Sequence, residues 1–305
     1  MARLFDAYMM VDWSAASKPA TGSNSIWIGL LAKDARLKLH FTAANPPTRL
    51  NAREIIRDLT DRLVKRGDRV LIGFDFPMGY PAGTAAALGL DTAAMPAWQA
   101  MYGHISSKMR DKPDNNSKPR FAVAASMNYS ISKGPFPFWG APKNEQANTL
   151  SSTKTPFTDD SPVAELRLAE AHLRDSKKGQ PKTVWQLYGN GSVGSQALTG
   201  IPHVHALRQD WPNARIWPFE TGPGPLTEES LDGVSIVIAE IYPSLLKAKP
   251  AQGETLDEAQ VREIANHYAS LDEKGLLGPA FSTGNSPDEG KIAKIISEEG
   301  WILGV

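Results

Sequence analysis

An apolar run of eight residues, RVLIGFDF at positions 69–76, constrains the fold more than any other stretch of this sequence. It shows no alternation of polar and apolar residues, which is typical of a strand that helices cover on both faces. Pro77 ends the run, because proline cannot donate a hydrogen bond to a neighbouring strand. A second run, VSIVIAEI at 234–241, has the same character. Together these runs predict an α/β protein built on a covered sheet.

Shorter patterns predict the remaining elements of the chain. Apolar or alternating segments predict strands at 7–12, 25–31, 37–41, 184–188 and 215–219. Helical spacing predicts helices at 51–65, 161–174, 257–270 and 287–298, and the last two begin with capping boxes at 255–258 and 286–289. The first three strands are close enough in sequence to form antiparallel hairpins. We therefore expect a mixed sheet of antiparallel and parallel strands, flanked by helices.

The segment 77–182 differs in amino-acid composition from the rest of the chain. Pro, Gly, Ser, Asn and Lys are frequent there, and aromatic residues are interleaved among them. We interpret it as a long insertion after the fourth strand. The whole chain, 1–305, is predicted to be a single domain that contains this insertion.

Composition excludes several classes of function. Lys and Arg number 33, as do Asp and Glu, so no overall charge attracts nucleic acid or an anionic membrane. The absence of cysteine excludes disulfides, thiolate metal sites and cysteine nucleophiles. No apolar run approaches the roughly 20 residues that span a bilayer, and the first residues lack a signal-peptide layout. We expect a cytoplasmic protein without a membrane partner.

Four acidic residues lie at or near the ends of predicted strands: Asp12, Asp75, Glu220 and Glu240. In open α/β sheets, binding sites lie outside the carboxyl ends of the strands. Close carboxylates repel one another, and a divalent cation removes that repulsion. Oxygen ligands without cysteine favour Mg²⁺ or Mn²⁺. The alternative is that each acid caps its strand or pairs with a basic residue, as Glu220 would with Arg215 or Lys247.

Several motifs together resemble one family. They are VDWS (11–14), FDFPMGYP (74–81), GNGSVGSQALTGIP (189–202), IWPFETG (216–222), IAEIYPSLL (238–246) and EEGWILGV (298–305). The chain is similar over nearly its whole length to a family of uncharacterised bacterial proteins, domain of unknown function 429. The resemblance implies a ribonuclease H-like fold and a nuclease activity. It also implies metal-binding acids at Asp12, Asp75 and Glu240, with Asp257 as the match for an acid on a late helix.

Two segments are candidates for contacting a substrate near these acids. Ser14 follows the first strand, and the loop GNGSVG at 189–194 could cradle a phosphate through Gly191 and Ser192. The loop matches a dinucleotide fingerprint literally. However, we expect Gly200 and Pro202 to end the following helix early, which argues against a dinucleotide site.

The insertion supplies further candidates. Residues 104–148 hold seven Lys or Arg and three acids, and Trp139 lies among aromatic residues that could stack on bases. A solvated loop with docked aromatic residues is the alternative. Arg167 and Glu170 share one face of the predicted helix with Arg174, where a surface ion pair or a contact to a substrate phosphate would explain them.

The sequence thus leads to three hypotheses. The first is a metal-dependent phosphodiester hydrolase that uses Asp12, Asp75 and Glu240. The second is an ATP-dependent phosphotransferase of the actin and sugar-kinase type, although that fold normally duplicates the domain. The third is a non-catalytic binding protein that retains the fold. Nucleic acid or a phosphorylated small molecule is the expected ligand class, and protein partners stay open.

Overall fold

A six-stranded sheet forms the centre of the protein. The computed structural model describes residues 3–34, 36, 38–283 and 288–305. The strands of the sheet are β1 (Ala7–Asp12), β2 (Trp27–Lys33), β3 (Leu39–Ala44), β4 (Val70–Phe74), β5 (Ala214–Ile216) and β6 (Ile236–Glu240). Their spatial order is β3-β2-β1-β4-β6-β5. Strands β1, β2 and β3 pair antiparallel, whereas β1–β4, β4–β6 and β5–β6 pair parallel. The predicted mixed sheet is confirmed.

Helices surround this sheet and fill the connections between its strands. They are α1 (Arg49–Lys65), α2 (Thr84–Ala87), α3 (Ala97–Lys108), α4 (Pro119–Ser132), α5 (Leu168–Asp175), α6 (Val193–Asp210), α7 (Leu256–Glu273), α8 (Leu277–Ala280) and α9 (Glu289–Lys294). A π-helical turn, Ile295–Glu299, follows α9 directly. Within the described ranges, none of these helices combines the length and the hydropathy needed to cross a bilayer.

The alternation of side chains along β1 divides the core into two layers. Ala7, Met9 and Val11 join the cluster that includes residues of α1, α3 and α6. Tyr8 and Met10 join the second cluster, which includes residues of α7. Successive residues of a strand point to opposite faces. The two layers therefore cover the two faces of the sheet, which explains why β4 and residues 7–11 of β1 are apolar.

The prediction of a strand at 184–188 is wrong. This segment forms turns and one short bridge, in which Trp139 N–H donates to the Trp185 carbonyl and Leu187 N–H donates to the Trp139 carbonyl. Trp185 and Leu187 are buried in the first core layer. Its apolar character thus reflects packing of the insertion rather than a place in the sheet.

Two helix boundaries also differ from the prediction. The helix expected from residue 161 begins only at Leu168, because the Glu170 carboxylate accepts the N–H of Arg167 and so fixes the first turn there. Helix α6 does not end early but runs from Val193 through Gly200 and Pro202. Gly200 is accommodated because the Phe76 ring packs where a side chain would lie.

Other predicted elements lie partly outside the described residues. Leu37 of the predicted third strand and residues 286 and 287 of the predicted capping box and last helix are not described. The described parts form β3 and α9, and the Asp288 carboxylate accepts the N–H groups of Gly290 and Lys291 at the start of α9.

Candidate functional site

Asp12 and Asp75 lie side by side at the carboxyl ends of two adjacent parallel strands. Val11 of β1 is in register with Phe74 of β4, so the two acids are the next residues along each strand. The Asp75 Oδ1 atom accepts a hydrogen bond from the Trp13 N–H at 2.7 Å. This bond ties the end of β1 to the residue that follows β4. The register of the sheet therefore brings together two of the predicted acids.

Asp257 approaches the pair from helix α7. It lies in the first turn of this helix, which Thr255 caps by accepting the Glu258 N–H at 3.1 Å. Its Oδ2 atom accepts the Asn24 N–H at 2.6 Å. The charge of Asp257 acts on both Asp12 and Asp75 and raises their pKa values. The acid that the sequence matched least well is thus the third member of the cluster.

Burial and mutual repulsion make these carboxylates costly to ionise. Burial, followed by the charges of Asp75 and Asp257, raises the pKa of Asp12 well above its usual value. Burial also raises the pKa of Asp75, against the opposing effect of the hydrogen bond from Trp13. Adjacent carboxyl groups with raised pKa values are a common property of functional sites. A cation placed between them would relieve both effects.

The acids border a cleft with a volume of about 860 Å³. Asp12 and Asp257 line it, and Asp75 lies next to Asp12 at the end of the adjacent strand. Ser14 also lines the cleft, and its hydroxyl donates to the Asn24 carbonyl at 3.4 Å. The Gln196 side chain closes another part of it by donating to the Trp13 carbonyl at 2.6 Å.

Gly191 and Ser192, the residues predicted to contact a phosphate, line this same cleft. They immediately precede α6, and Gly191 has a positive φ of 75°, which glycine adopts without strain. The preceding segment is not a strand, so the loop lacks the strand-to-helix context of a dinucleotide fingerprint. The structure nevertheless brings the loop to the acids.

Glu240 does not join the acidic cluster, although its strand lies next to β4. It is in register with Phe74 rather than with Asp75. Ile236, Ile238 and Phe74 all belong to the first core layer, so alternation directs Glu240 to the face opposite Asp12 and Asp75. There its carboxylate accepts hydrogen bonds from Arg167 and from the Met78 N–H.

Arg167 and Glu170 belong to this buried network and not to the surface or the cleft. Arg167 is fully buried, Glu170 nearly so, and the two form an ion pair that also engages Glu240. Burial alone would lower the pKa of Arg167, but the two carboxylates outweigh it and raise this pKa. Burial raises the pKa of Glu240 despite the opposing charge of Arg167. The predicted surface ion pair is therefore wrong in its location.

Glu220 and Trp139 also lie apart from the acids. The Glu220 carboxylate binds Arg208 and accepts the Ile216 N–H at 2.8 Å, and so joins the end of β5 to α6. The predicted pairing with a basic residue is correct in kind, but the partner is Arg208. Trp139 bridges to Gln186 and does not contribute to the described lining of the cleft.

Among the residues that line the cleft, sequence reasoning missed Arg120, Tyr188 and Gln196. Arg120 lies in the basic segment of the insertion, but nothing in the sequence distinguishes it from its basic neighbours. Tyr188 is 59% exposed, which is unusual for a large aromatic side chain. Its position just before the glycine-rich loop was the available signal.

The side chains at the site meet some of the requirements for metal binding but not all of them. In the described part of the chain, no group of three or more His, Asp or Glu side chains is arranged to hold a metal ion. Mg²⁺, however, is usually held by one or two carboxylates, with water and substrate phosphates completing its shell. Asp12 and Asp75 supply that number, with Asp257 nearby.

Comparisons of the chain with family models, curated proteins and solved structures found no significant match.

Proposed function

We propose that the protein is a metal-dependent phosphodiester hydrolase with a ribonuclease H-like domain. The observation that carries this proposal is the convergence of Asp12, Asp75 and Asp257 beside a cleft of about 860 Å³, at the carboxyl ends of β1 and β4. The order β3-β2-β1-β4, with the first three strands antiparallel, supports the ribonuclease H-like assignment. The chain as one domain and its cytoplasmic location stay predictions.

In this proposal, some residues of the cleft bind a cation and others bind the substrate. Asp12 and Asp75 would hold Mg²⁺ or Mn²⁺, and the charge of Asp257 would add to the negative potential at that position. When bound, such an ion supplies Lewis acidity toward a phosphoryl group and lowers the pKa of a coordinated water. Gly191 and Ser192, before the first turn of α6, face the substrate phosphate.

The remaining predicted residues have no catalytic part in this proposal. Glu240, Arg167 and Glu170 stabilise the buried junction between the insertion and the sheet. Glu220 and Trp139 secure local structure away from the cleft. The candidate substrates are nucleic acids and phosphorylated small molecules, because the cleft contains both acidic and basic groups.

The test is cleavage of a generic phosphodiester, bis(p-nitrophenyl) phosphate, and of single-stranded RNA and DNA in Mg²⁺, in Mn²⁺ and in EDTA. We expect cleavage that requires a divalent cation and that is abolished in Asp12→Asn. Glu220→Gln is the matched control, because its carboxylate lies outside the cleft, and it should retain activity. Wild-type cleavage that persists in EDTA, or an Asp12→Asn protein of undiminished activity, would refute the proposal.

A second candidate is a non-catalytic binding protein. The observation that favours it is the lack, among the described residues, of a preassembled group of metal-binding side chains. Calorimetry with MnCl₂ separates the two, because the binding protein would show no Mn²⁺ uptake. Stabilisation by ATP–Mg²⁺ but not by nucleic acid would instead indicate the phosphotransferase, against which the single described sheet argues.

A further inference from the structure

Arg120, from the first turn of α4, lines the same cleft as the acids and is unusual among the buried arginines. Its side chain is only 7% exposed. Arg49 and Arg167, which are fully buried, each form an ion pair with a carboxylate. Arg120 forms no ion pair with any described residue. A buried charge without a counter-charge is costly, so its retention calls for an explanation.

The hydrogen bonds of Arg120 hold its guanidinium in a fixed plane without neutralising it. Nε donates to the Ser195 hydroxyl at 2.7 Å, and Nη1 donates to the hydroxyls of Ser117 and Ser17. All three partners are neutral. Among the hydrogen bonds of the described residues, Nη2 takes part in none. The two N–H groups of Nη2 are therefore left for a ligand, on a guanidinium whose orientation its other hydrogen bonds fix.

The N-terminus of α6 adds positive potential close to Arg120. Ser195, its partner, lies in the first turn of α6, whose N-cap residue Ser192 makes no capping hydrogen bond through its side chain. The N-terminus of a helix attracts anions. The charge of Glu145 is felt at Arg120, but Glu145 forms its ion pair with Lys118, at 3.7 Å.

Arg120 stays cationic at neutral pH. Burial is the main cause that lowers its pKa, to about 10, and the charge of Arg49 contributes in the same direction. A ligand anion beside the guanidinium would raise this pKa again, because it would offset both the burial and the charge of Arg49. The charge state is thus compatible with recognition of an anion under physiological conditions.

We propose that Arg120 and the first turn of α6 form an oxyanion subsite in the cleft, and that this subsite binds a phosphate group of the ligand. The choice of phosphate among oxyanions rests on the proposed function. The subsite itself rests on the buried guanidinium, its neutral partners and its place in the cleft. A phosphorylated ligand would lie between this arginine and the acids, which explains the coexistence of opposite charges in one cleft.

The probe is inorganic phosphate, titrated by calorimetry in EDTA at constant ionic strength, with chloride as the reference anion. EDTA keeps the measurement independent of any metal. Wild type and Asp12→Asn are both titrated, because removing the charge of Asp12 should strengthen phosphate binding. Arg120→Gln should weaken binding about 10- to 100-fold, the loss expected for a charge-assisted hydrogen bond. Arg174→Gln is the control, since Arg174 is half-buried and lies outside the cleft.

A second measurement covers the case in which Arg120→Gln does not fold. Wild-type protein is treated with phenylglyoxal, with and without phosphate, and modified arginines are identified by mass spectrometry. We expect phosphate to protect Arg120 and to leave Arg174 unprotected. Protection that is equal at the two arginines overturns the subsite. So does the absence of saturable phosphate binding to both wild type and Asp12→Asn, or a folded Arg120→Gln protein with unchanged affinity.

The two proposals fail separately. If phosphate binding requires Arg120 but the protein does not cleave diesters, the hydrolase proposal is refuted and the subsite proposal stands. If cleavage depends on a metal but Arg120→Gln leaves phosphate affinity unchanged, only the subsite proposal is refuted.

Discussion

Arg167 donates hydrogen bonds to both carboxylate oxygens of Glu240, at 2.8 and 2.6 Å, and both side chains are buried. This pair joins the residue before α5 to the end of β6, and it removes Glu240 from the acidic cluster on the other face of the sheet. Two acids at the ends of adjacent strands, Asp75 and Glu240, therefore have different roles. The first belongs to the candidate site, and the second holds the insertion against the sheet.

Glu240→Gln should destabilise the protein without affecting metal binding. The substitution leaves Arg167 with less negative charge in a buried position, and breaking a buried pair costs ~3 kcal/mol or more. Urea unfolding gives the change in the free energy of unfolding. Glu165→Gln is the matched control, because Glu165 pairs with Lys154 in a half-exposed position and should contribute at most about 1 kcal/mol. Equal effects of the two substitutions would contradict this role for Glu240.

Asp12→Asn should stabilise the protein in EDTA while abolishing Mn²⁺ binding. The wild-type fold holds Asp12 beside Asp75 and Asp257, and an uncharged isostere removes that repulsion. A gain of about 1 kcal/mol is typical when a strained functional residue is replaced. Thermal unfolding in EDTA and calorimetry with MnCl₂ measure the two effects.

The control for this prediction is Asp160→Asn, since Asp160 is exposed. A surface substitution of this kind usually changes the free energy of unfolding by no more than ~0.5 kcal/mol. A destabilised Asp12→Asn protein that still binds Mn²⁺ would show that Asp12 has a structural role instead.

The sequence predicted the sheet well because its central strands are buried on both faces. Continuous apolar runs such as 69–76 identify such strands without any knowledge of their neighbours. The strand predicted at 184–188 was wrong because an apolar run packs equally well in a turn-rich insertion. Helix α6 was predicted to be broken because helix propensity disfavours Gly200 and Pro202, whereas packing against Phe76 overrides that preference.

Only part of the candidate site was predicted, because the sequence does not show the register between neighbouring strands. Sequence can place Asp12, Asp75 and Glu240 at strand ends, but it cannot show which residues of neighbouring strands are aligned. Here Glu240 is aligned with Phe74, one residue before Asp75, and a shift of one residue sends a side chain to the other face. Arg120 could not be predicted at all, because only the fold brings α4 to the cleft.

Acid should weaken the stabilising contribution of Asp111. Burial alone would raise the pKa of this carboxyl, but hydrogen bonds from His203 and Arg49 outweigh it and leave the pKa below its usual value. For an acid whose pKa is lowered on folding, the stabilisation is present above the unfolded pKa of about 3.9 and is lost as the pH falls through the folded pKa.

Asp111→Asn tests this pH dependence. The difference in the free energy of unfolding between wild type and Asp111→Asn should be large at pH 7 and should shrink below about pH 4, where the unfolded carboxyl takes up its proton. Urea unfolding at several pH values gives the difference directly. Asp160→Asn again serves as the exposed control and should show no such trend. A difference that stays constant down to pH 3 would mean that packing, not charge, explains the effect of Asp111.

Gly200→Ala and Gly103→Ala should change stability in opposite directions, although both replace a glycine inside a helix. A Cβ at Gly200 would overlap the buried Phe76 ring, whereas a Cβ at Gly103 in α3 would meet nothing within 4 Å. Overpacking typically costs about 1–3 kcal/mol, while alanine in an open helical position gains about 0.5–1 kcal/mol over glycine. Urea unfolding of the two variants measures both changes. If Gly200→Ala were as stabilising as Gly103→Ala, the Phe76 ring would have moved aside, and close packing against Gly200 would not explain the unbroken course of α6.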